Sequence, residues 1–239
     1  MPSRPTPPTS PHASRRWSQP GSEAPRVLLL DLDGVLVDTR PVMESAWRRV
    51  QQAHGLDVPF EAYERHLGRP FGDIMEQLGL VDAELIHRTY AEASTAASHL
   101  ARQFEGVAEV LHAFAAAGWL LGIVTSKPLD RAAPLLAQLG VPFATVRTPN
   151  GVGRGKPAPD PILLALIDVG ADPADAMYVG DMAVDQEAAH RAGVAFVHAG
   201  WGYGRPSTPT PEVADSPEDL LRFLATAGHR APFLEGSLL

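Results

Sequence analysis

The feature that most constrains this chain is a four-residue apolar run, Val27-Leu28-Leu29-Leu30, which stops at Asp31-Leu32-Asp33-Gly34. Consecutive large apolar residues without polar alternation suit a strand buried on both faces, as in parallel sheets covered by helices. Similar runs recur at residues 119–124, 176–179 and 194–197, with a weaker one at 141–146. Helical patterns lie between them at residues 107–117, 131–139, 161–169 and 184–192. Gly118, Gly140, Gly170 and Gly193 stand where those helices should end. The spacing is that of βαβ units, so the sequence predicts an α/β fold with a Rossmann-like parallel-sheet core.

One stretch breaks the rhythm. Residues 41–54, 71–80 and 82–103 all read as helix, with no strand among them. A small α-helical cap, residues 41–103, is therefore expected as an insertion in a core formed by residues 26–40 and 104–226. The insertion would leave and rejoin the core near Arg40 and Gln103, which are the expected hinges. Residues 1–25 are rich in proline and serine and cannot build an apolar face, so a disordered tail is expected there. Residues 227–239 read as a C-terminal tail.

Composition closes several routes. With no cysteine, the chain has no disulfide, thiolate metal site or cysteine nucleophile. A net charge of -8 gives nucleic acid no electrostatic footprint. No apolar run approaches the roughly 18–20 residues that span a bilayer, and no secretory signal is legible, so a cytoplasmic location is expected. Oligomeric state is open at this level.

In open α/β sheets the ligand site lies beyond the carboxyl ends of the strands. Strand one ends in Asp31 and Asp33, and the run 119–124 leads into Thr125-Ser126-Lys127. The run 176–179 leads into Gly180-Asp181, with Asp185 four residues further on. Lys156, one of only two lysines, follows the glycine-rich stretch 151–155, which is not a P-loop because no GK[ST] follows. Carboxylates with a hard divalent cation, a lysine and a hydroxyl suit phosphoryl transfer, and an aspartate can attack phosphorus to give an acyl phosphate. With a reference pKa of about 3.9, Asp31 is expected to be ionised without special tuning.

The combination Asp31-Leu32-Asp33-Gly34-Val35-Leu36-Val37-Asp38-Thr39, Thr125, Lys156 and Gly180-Asp181 to Asp185 resembles the haloacid-dehalogenase-like superfamily. It is most similar to the phosphoglycolate phosphatase and β-phosphoglucomutase branch, which carries a helical cap after strand one. The resemblance implies a Mg2+-dependent phosphatase acting on a small phosphorylated metabolite through a phosphoaspartate. It makes Asp31 nucleophile and metal ligand, and Asp33 the general acid and base with a metal-binding carbonyl. It places Thr125, Ser126 and Lys156 on the phosphate, and Asp181 and Asp185 on the metal. Asp38 is expected to cap a helix or brace its loop, and Gly200-Trp201-Gly202-Tyr203-Gly204 to form the loop after the last strand.

Within that family, dehalogenases lack the second aspartate, present here as Asp33. Phosphonate-cleaving relatives need a cap lysine, and residues 40–105 contain none. Mutases carry a histidine twelve positions after the nucleophile, where this chain has Met43. Water is thus the expected acceptor, with a phosphosugar mutase or a non-catalytic metal-binding scaffold as alternatives. Residues 68–73 are the expected specificity loop, in which Arg69 could take a carboxylate or second phosphate or simply be solvated. The runs 39–47 and 68–71 also look like phosphatases of bacterial aminohydroxybenzoate clusters, which would imply an aminosugar phosphate or sugar-nucleotide-derived substrate, within a general expectation of a sugar phosphate, aminosugar phosphate or phosphoglycolate-like ester.

Overall fold

The computed structural model describes residues 26–149, 153–209 and 212–226. The expected tails, and Gly151 and Val152 of the glycine-rich stretch, lie outside the described residues. The first strand, β1 (Val27–Leu30), is followed by a short β2 (Val37–Asp38) and by helices α1 (Arg40–His54), α2 (Phe60–Glu64), α3 (Phe71–Gln77) and α4 (Ala83–Ala96). The chain returns through β3 (Arg102–Gln103) to α5 (Val107–Ala116), β4 (Leu120–Val124), α6 (Leu129–Ala137) and β5 (Thr145–Arg147). It ends with α7 (Asp160–Val169), β6 (Ala176–Gly180), α8 (Ala183–Ala192), β7 (Ala195–Ala199), β8 (Val213–Ala214) and α9 (Arg222–Thr226).

Six strands form one parallel sheet in the order β5-β4-β1-β6-β7-β8. Burial explains the uninterrupted apolar runs. Leu28 and Leu30 of β1 pack on one face with α5 residues such as Leu111 and Phe114. Val27 and Leu29 pack on the other face with Ile162 and Leu166 of α7 and Ala188 of α8. Every side chain of β1 is buried, as a central strand covered on both faces demands.

Residues of α1–α4 build a separate apolar cluster around Trp47, which stacks on Tyr63 with ring centroids 4.5 Å apart. The Trp47 indole N–H donates to the Val58 carbonyl at 2.8 Å, satisfying the only polar atom of that buried side chain. Two details differ from the sequence reading. The helix expected over 82–103 ends at Ala96, and a 3-10 turn (Ser98–Leu100) leads into β3. There β3 pairs antiparallel with β2, Val37 opposite Gln103 and Asp38 opposite Arg102, so the exit from the helical segment is a two-stranded ribbon instead of a helix end. The short α2 was not expected, because five residues carry too little periodicity. Phe60 and Tyr63 supply its buried face.

Candidate active site

The chain runs outward from β1 to β4 and β5 on one side, then returns to build β6, β7 and β8 on the other. This makes the carboxyl end of β1 the switch point of the sheet, where a crevice opens. Asp31, Thr125 and Asp181 are the first residues past β1, β4 and β6, so three neighbouring strands deliver them to one place.

Asp31 is buried, and its amide donates to the Val179 carbonyl at 2.9 Å, extending the β1–β6 register by one residue. Its Oδ1 accepts from the Leu32 amide at 2.8 Å, while Oδ2 faces the Lys156 ammonium at 3.0 Å. Lys156 is itself buried and reaches Asp185 Oδ1 at 2.7 Å. It also donates to the Tyr178 hydroxyl at 3.2 Å, which lies 3.0 Å from Asp185 Oδ1 and 3.2 Å from the Val124 carbonyl. The Met182 amide donates to Asp185 Oδ2 at 2.9 Å, fixing that carboxylate at the start of α8.

Asp181 completes the group. One ligand oxygen from each of Asp31, Asp181 and Asp185 lies within 4.8 Å of the others. Asp181 Oδ2 accepts from the Tyr203 amide at 2.8 Å, whereas its buried Oδ1 has no partner. Glycines make this crowding possible. A Cβ on Gly34, whose φ is +81°, would fall 2.3 Å from Asp181 Oδ2, and one on Gly202 would fall 2.3 Å from Asp181 Cβ. Three buried carboxylates with a single lysine among them carry excess negative charge, and an orphaned carboxylate oxygen is costly in an apolar interior. An all-oxygen donor set of this kind fits a hard divalent cation such as Mg2+.

The electrostatics follow from this packing. Burial pushes the Asp31 carboxyl up to about 7, with Lys156 opposing and Asp185 and Asp33 reinforcing the shift. The expectation that Asp31 needs no tuning is therefore corrected: without a cation its charge is strongly disfavoured by desolvation. Asp181 is also raised, by burial first and then by the charges of Asp185 and Asp31. Burial alone would lower Lys156, but Asp185 and Asp31 hold it above the usual lysine range.

Asp33 stands apart from the three-carboxylate group. Its Oδ1 accepts from the Thr39 hydroxyl and lies 3.0 Å from Lys127 Nζ. Lys127 is nearly buried and paired. Asp38 braces the loop as expected, accepting from the Arg40 amide at 3.1 Å and the Tyr203 hydroxyl at 2.9 Å. Asp31, Asp33, Thr125, Ser126, Arg69, Lys127 and Tyr203 line one cavity of about 70 Å3. Each water needs roughly 10–15 Å3 by this measure, so the space suits a phosphoryl group and a short remainder. The Ser126 amide is the group expected on phosphate, and its side chain is free for another contact: the hydroxyl donates to the Gly68 carbonyl at 2.6 Å, tying the core to the 68–70 loop.

Sequence reading missed Tyr178 and the role of Tyr203. A tyrosine within a fully buried strand must place its hydroxyl on a partner, so Tyr178 carried a usable signal. The Tyr203 hydroxyl contacts join residues more than 160 positions apart and had none.

Acids at the carboxyl ends of adjacent parallel strands, around a buried lysine, define a phosphoryl-handling hydrolase. The chain belongs to the haloacid dehalogenase-like hydrolases, whose family profile matches residues 28–199. It is a phosphoric monoester hydrolase of that family. It is 29% identical over 220 residues to the N-acetylmuramic acid 6-phosphate phosphatase of Pseudomonas aeruginosa, covering 84% of this chain and 96% of the relative. It is 32% identical over 211 residues to the plasmid-encoded phosphoglycolate phosphatase of Cupriavidus necator, covering 82% and 90%. The fold matches the crystal structure of a hydrolase from Pseudomonas syringae with a TM-score of 0.73 at 25% identity, covering 84% of this chain and 98% of that one.

Proposed function

We propose that this phosphatase hydrolyses a small phosphorylated metabolite through a phosphoaspartate on Asp31, with Mg2+ as cofactor. The observation that carries the reading is the placement of Asp31. It is held by Lys156 and the Leu32 amide, adjoins Asp181 and Asp185, and opens on the same cavity as Asp33 and Thr125. An Asp31 oxygen attacks phosphorus while the ester oxygen departs with a proton from Asp33. Asp33 then takes a proton from water as that water attacks the acyl phosphate, which returns Asp31 and releases inorganic phosphate. Thr125 and the Ser126 amide hold phosphate oxygens, and Lys156 offsets charge on Asp31 and on the transferred group. Asp31, Asp181, Asp185 and the Asp33 carbonyl would hold Mg2+, which would neutralise the carboxylates and the phosphate together.

Residues 41–103 serve as a cap whose 68–70 loop closes the cavity, with the ribbon of β2 and β3 at its base as the hinge. The relatives named above are, by name, phosphatases of N-acetylmuramic acid 6-phosphate and of phosphoglycolate, and a cavity with room for a phosphoryl group and a short remainder favours the smaller kind of ester. Met43 lines the cavity where a mutase would carry its histidine, and a thioether cannot activate a sugar hydroxyl, so water is the acceptor. Rapid acid quench during turnover, followed by hydride trapping and peptide mass spectrometry, should find the phosphoryl group on Asp31. Asp31→Asn should abolish it, EDTA should abolish turnover, and Mg2+ should restore it. Full activity in metal-free buffer, or a phosphoenzyme surviving in Asp31→Asn, would refute the mechanism.

A further inference from the structure

Once the phosphate end of the cavity is accounted for, two cations in its lining remain without an acid. Asp31 and Asp33 are the acids of the lining, and they lie 3.0 Å from Lys156 and Lys127 respectively. Arg69 and Arg131 line the same cavity, and among the described residues neither is within 4.0 Å of a carboxylate. Both are half-buried, in a chain whose net charge is -8. A guanidinium withdrawn from water without a counter-ion is unfavourable.

The position of Arg131 adds to this. It sits in the first turn of α6, where a cation opposes the helix dipole, so the helix gains nothing from it. Its guanidinium lies 5.7 Å from the centroid of the Tyr90 ring, which orients it across the boundary between the sheet core and the α1–α4 segment. Tyr90 is buried and packed against Tyr63 and Phe71, so the aromatic platform under Arg131 is rigid. The positive field is felt nearby: burial first, then Arg131, lowers the pKa of His87.

We propose that Arg131, with Arg69 on the loop above, forms a subsite for a second anionic group on the leaving part of the substrate. The planar fork of arginine suits a carboxylate or a second phosphate, and the small cavity requires that group to lie only a few bonds from the ester oxygen. Arg131 is thus a specificity-determining residue supplied by the sheet core, whereas Arg69 comes from the insertion. The inference rests on the phosphatase reading of the site.

The test compares three esters of one skeleton in Mg2+ buffer: 2-phosphoglycolate, the bisphosphate of ethylene glycol, and neutral-ended 2-hydroxyethyl phosphate. Wild-type enzyme should favour at least one anionic ester over the neutral one by about tenfold or more in kcat/KM. Arg131→Ala should lose about 10- to 100-fold on that ester, chiefly in KM, and less than about threefold on 2-hydroxyethyl phosphate. Arg131→Lys, which keeps the charge but not the fork, should fall between them. Loss confined to one anionic ester assigns the subsite to that anion. Retained turnover of the neutral ester shows that the variants fold. Equal losses on neutral and anionic esters, in both variants, would overturn the subsite, as would no loss on any ester. A wild type that hydrolyses none of the three but turns over an aryl phosphate would also overturn the subsite, whereas no turnover of any ester with Mg2+ would count against the proposed catalytic reading, a distinct result.

Discussion

Asp31 and Asp33 are two residues apart, yet their surroundings differ. Asp31 is enclosed, paired with Lys156 and hemmed by two further carboxylates. Asp33 is partly exposed and held by a hydroxyl and by Lys127, outside the carboxylate group. The proposed reaction gives the two acids different work, Asp31 attacking phosphorus and Asp33 carrying the proton. Asp33→Asn should therefore preserve attack by Asp31 while removing the proton donor. Turnover of an alkyl phosphate should drop by about 10²–10⁴-fold, the usual range for general acid–base catalysis. The loss should be much smaller for an aryl phosphate, whose leaving oxygen needs little protonation. Steady-state rates on the two ester types decide it, and equal losses would remove Asp33 from the acid role. Asp31, Asp33, Thr125, Lys156, Asp181 and Asp185 were legible in the sequence because each follows an apolar strand or sits by a helix start. The Tyr178 hydroxyl and the Lys127–Asp33 pair were not, since both depend on which strands become neighbours.

At the scale of elements, the site lies where the α1–α4 segment meets the sheet, and one hydrogen bond joins them directly at the phosphate end. Ser126 donates to Gly68 at 2.6 Å, and Gly68 can approach only because it lacks a side chain: a Cβ there would lie 2.6 Å from Val184 Cγ2. Ser126→Ala removes about 0.5–1.5 kcal/mol of that attachment, the net worth of a typical hydrogen bond. Its amide, the proposed phosphate ligand, is kept. The expected result is a KM raised up to about tenfold with Tm lowered by about 1–6 °C, read by kinetics and thermal melts together. An unchanged KM would mean that this contact does not contribute to closure. The same boundary shows how far the sequence could be read. Strands buried on both faces declare themselves through unbroken apolar runs, so β1, β4, β6 and β7 were anticipated to within two residues. The two-residue β2, β3 and β8 carry no pattern, and the exit from the helical segment was read as helix because Ala91 to Gln103 is rich in helix formers. Tertiary pairing overrode propensity there. Gln103 and Arg102 gain β-ladder partners on Val37 and Asp38, which a continuing helix would have carried away from the core.

For the whole molecule, the buried carboxylates link stability, protons and the cation. A carboxyl whose folded pKa lies above its unfolded value binds more protons in the folded state, so its contribution is present in acid and is lost as pH rises. For Asp31 that window runs from the ordinary 3.8 to about 7, and Asp181 shifts in the same direction. Asp160 and Asp168 are lowered by bonds to Arg154 and Thr145, so their opposite contribution is fully present above the ordinary carboxylate value and is lost as pH falls below it. His66, His87 and His198 are lowered by burial, and they add stability with rising pH up to 6.5. The net slope in EDTA therefore mixes opposing groups, and the informative quantity is the Mg2+-induced increment in Tm at each pH. A cation that binds the ionised carboxylates must displace their protons, so this increment should be small near about pH 5 and grow toward about pH 7.5. At a hundredfold excess over Kd, binding adds about 2.7 kcal/mol, equivalent to roughly 5–10 °C for a protein of this size. Asp181→Asn takes out a carboxyl that burial and its acidic neighbours keep from ionising readily, together with the oxygen that has no partner. It should raise Tm in EDTA and abolish most of the Mg2+ increment. An increment independent of pH, or one that survives intact in Asp181→Asn, would place the cation elsewhere. Thermal melts across the pH series, with and without Mg2+, settle the point without reference to turnover.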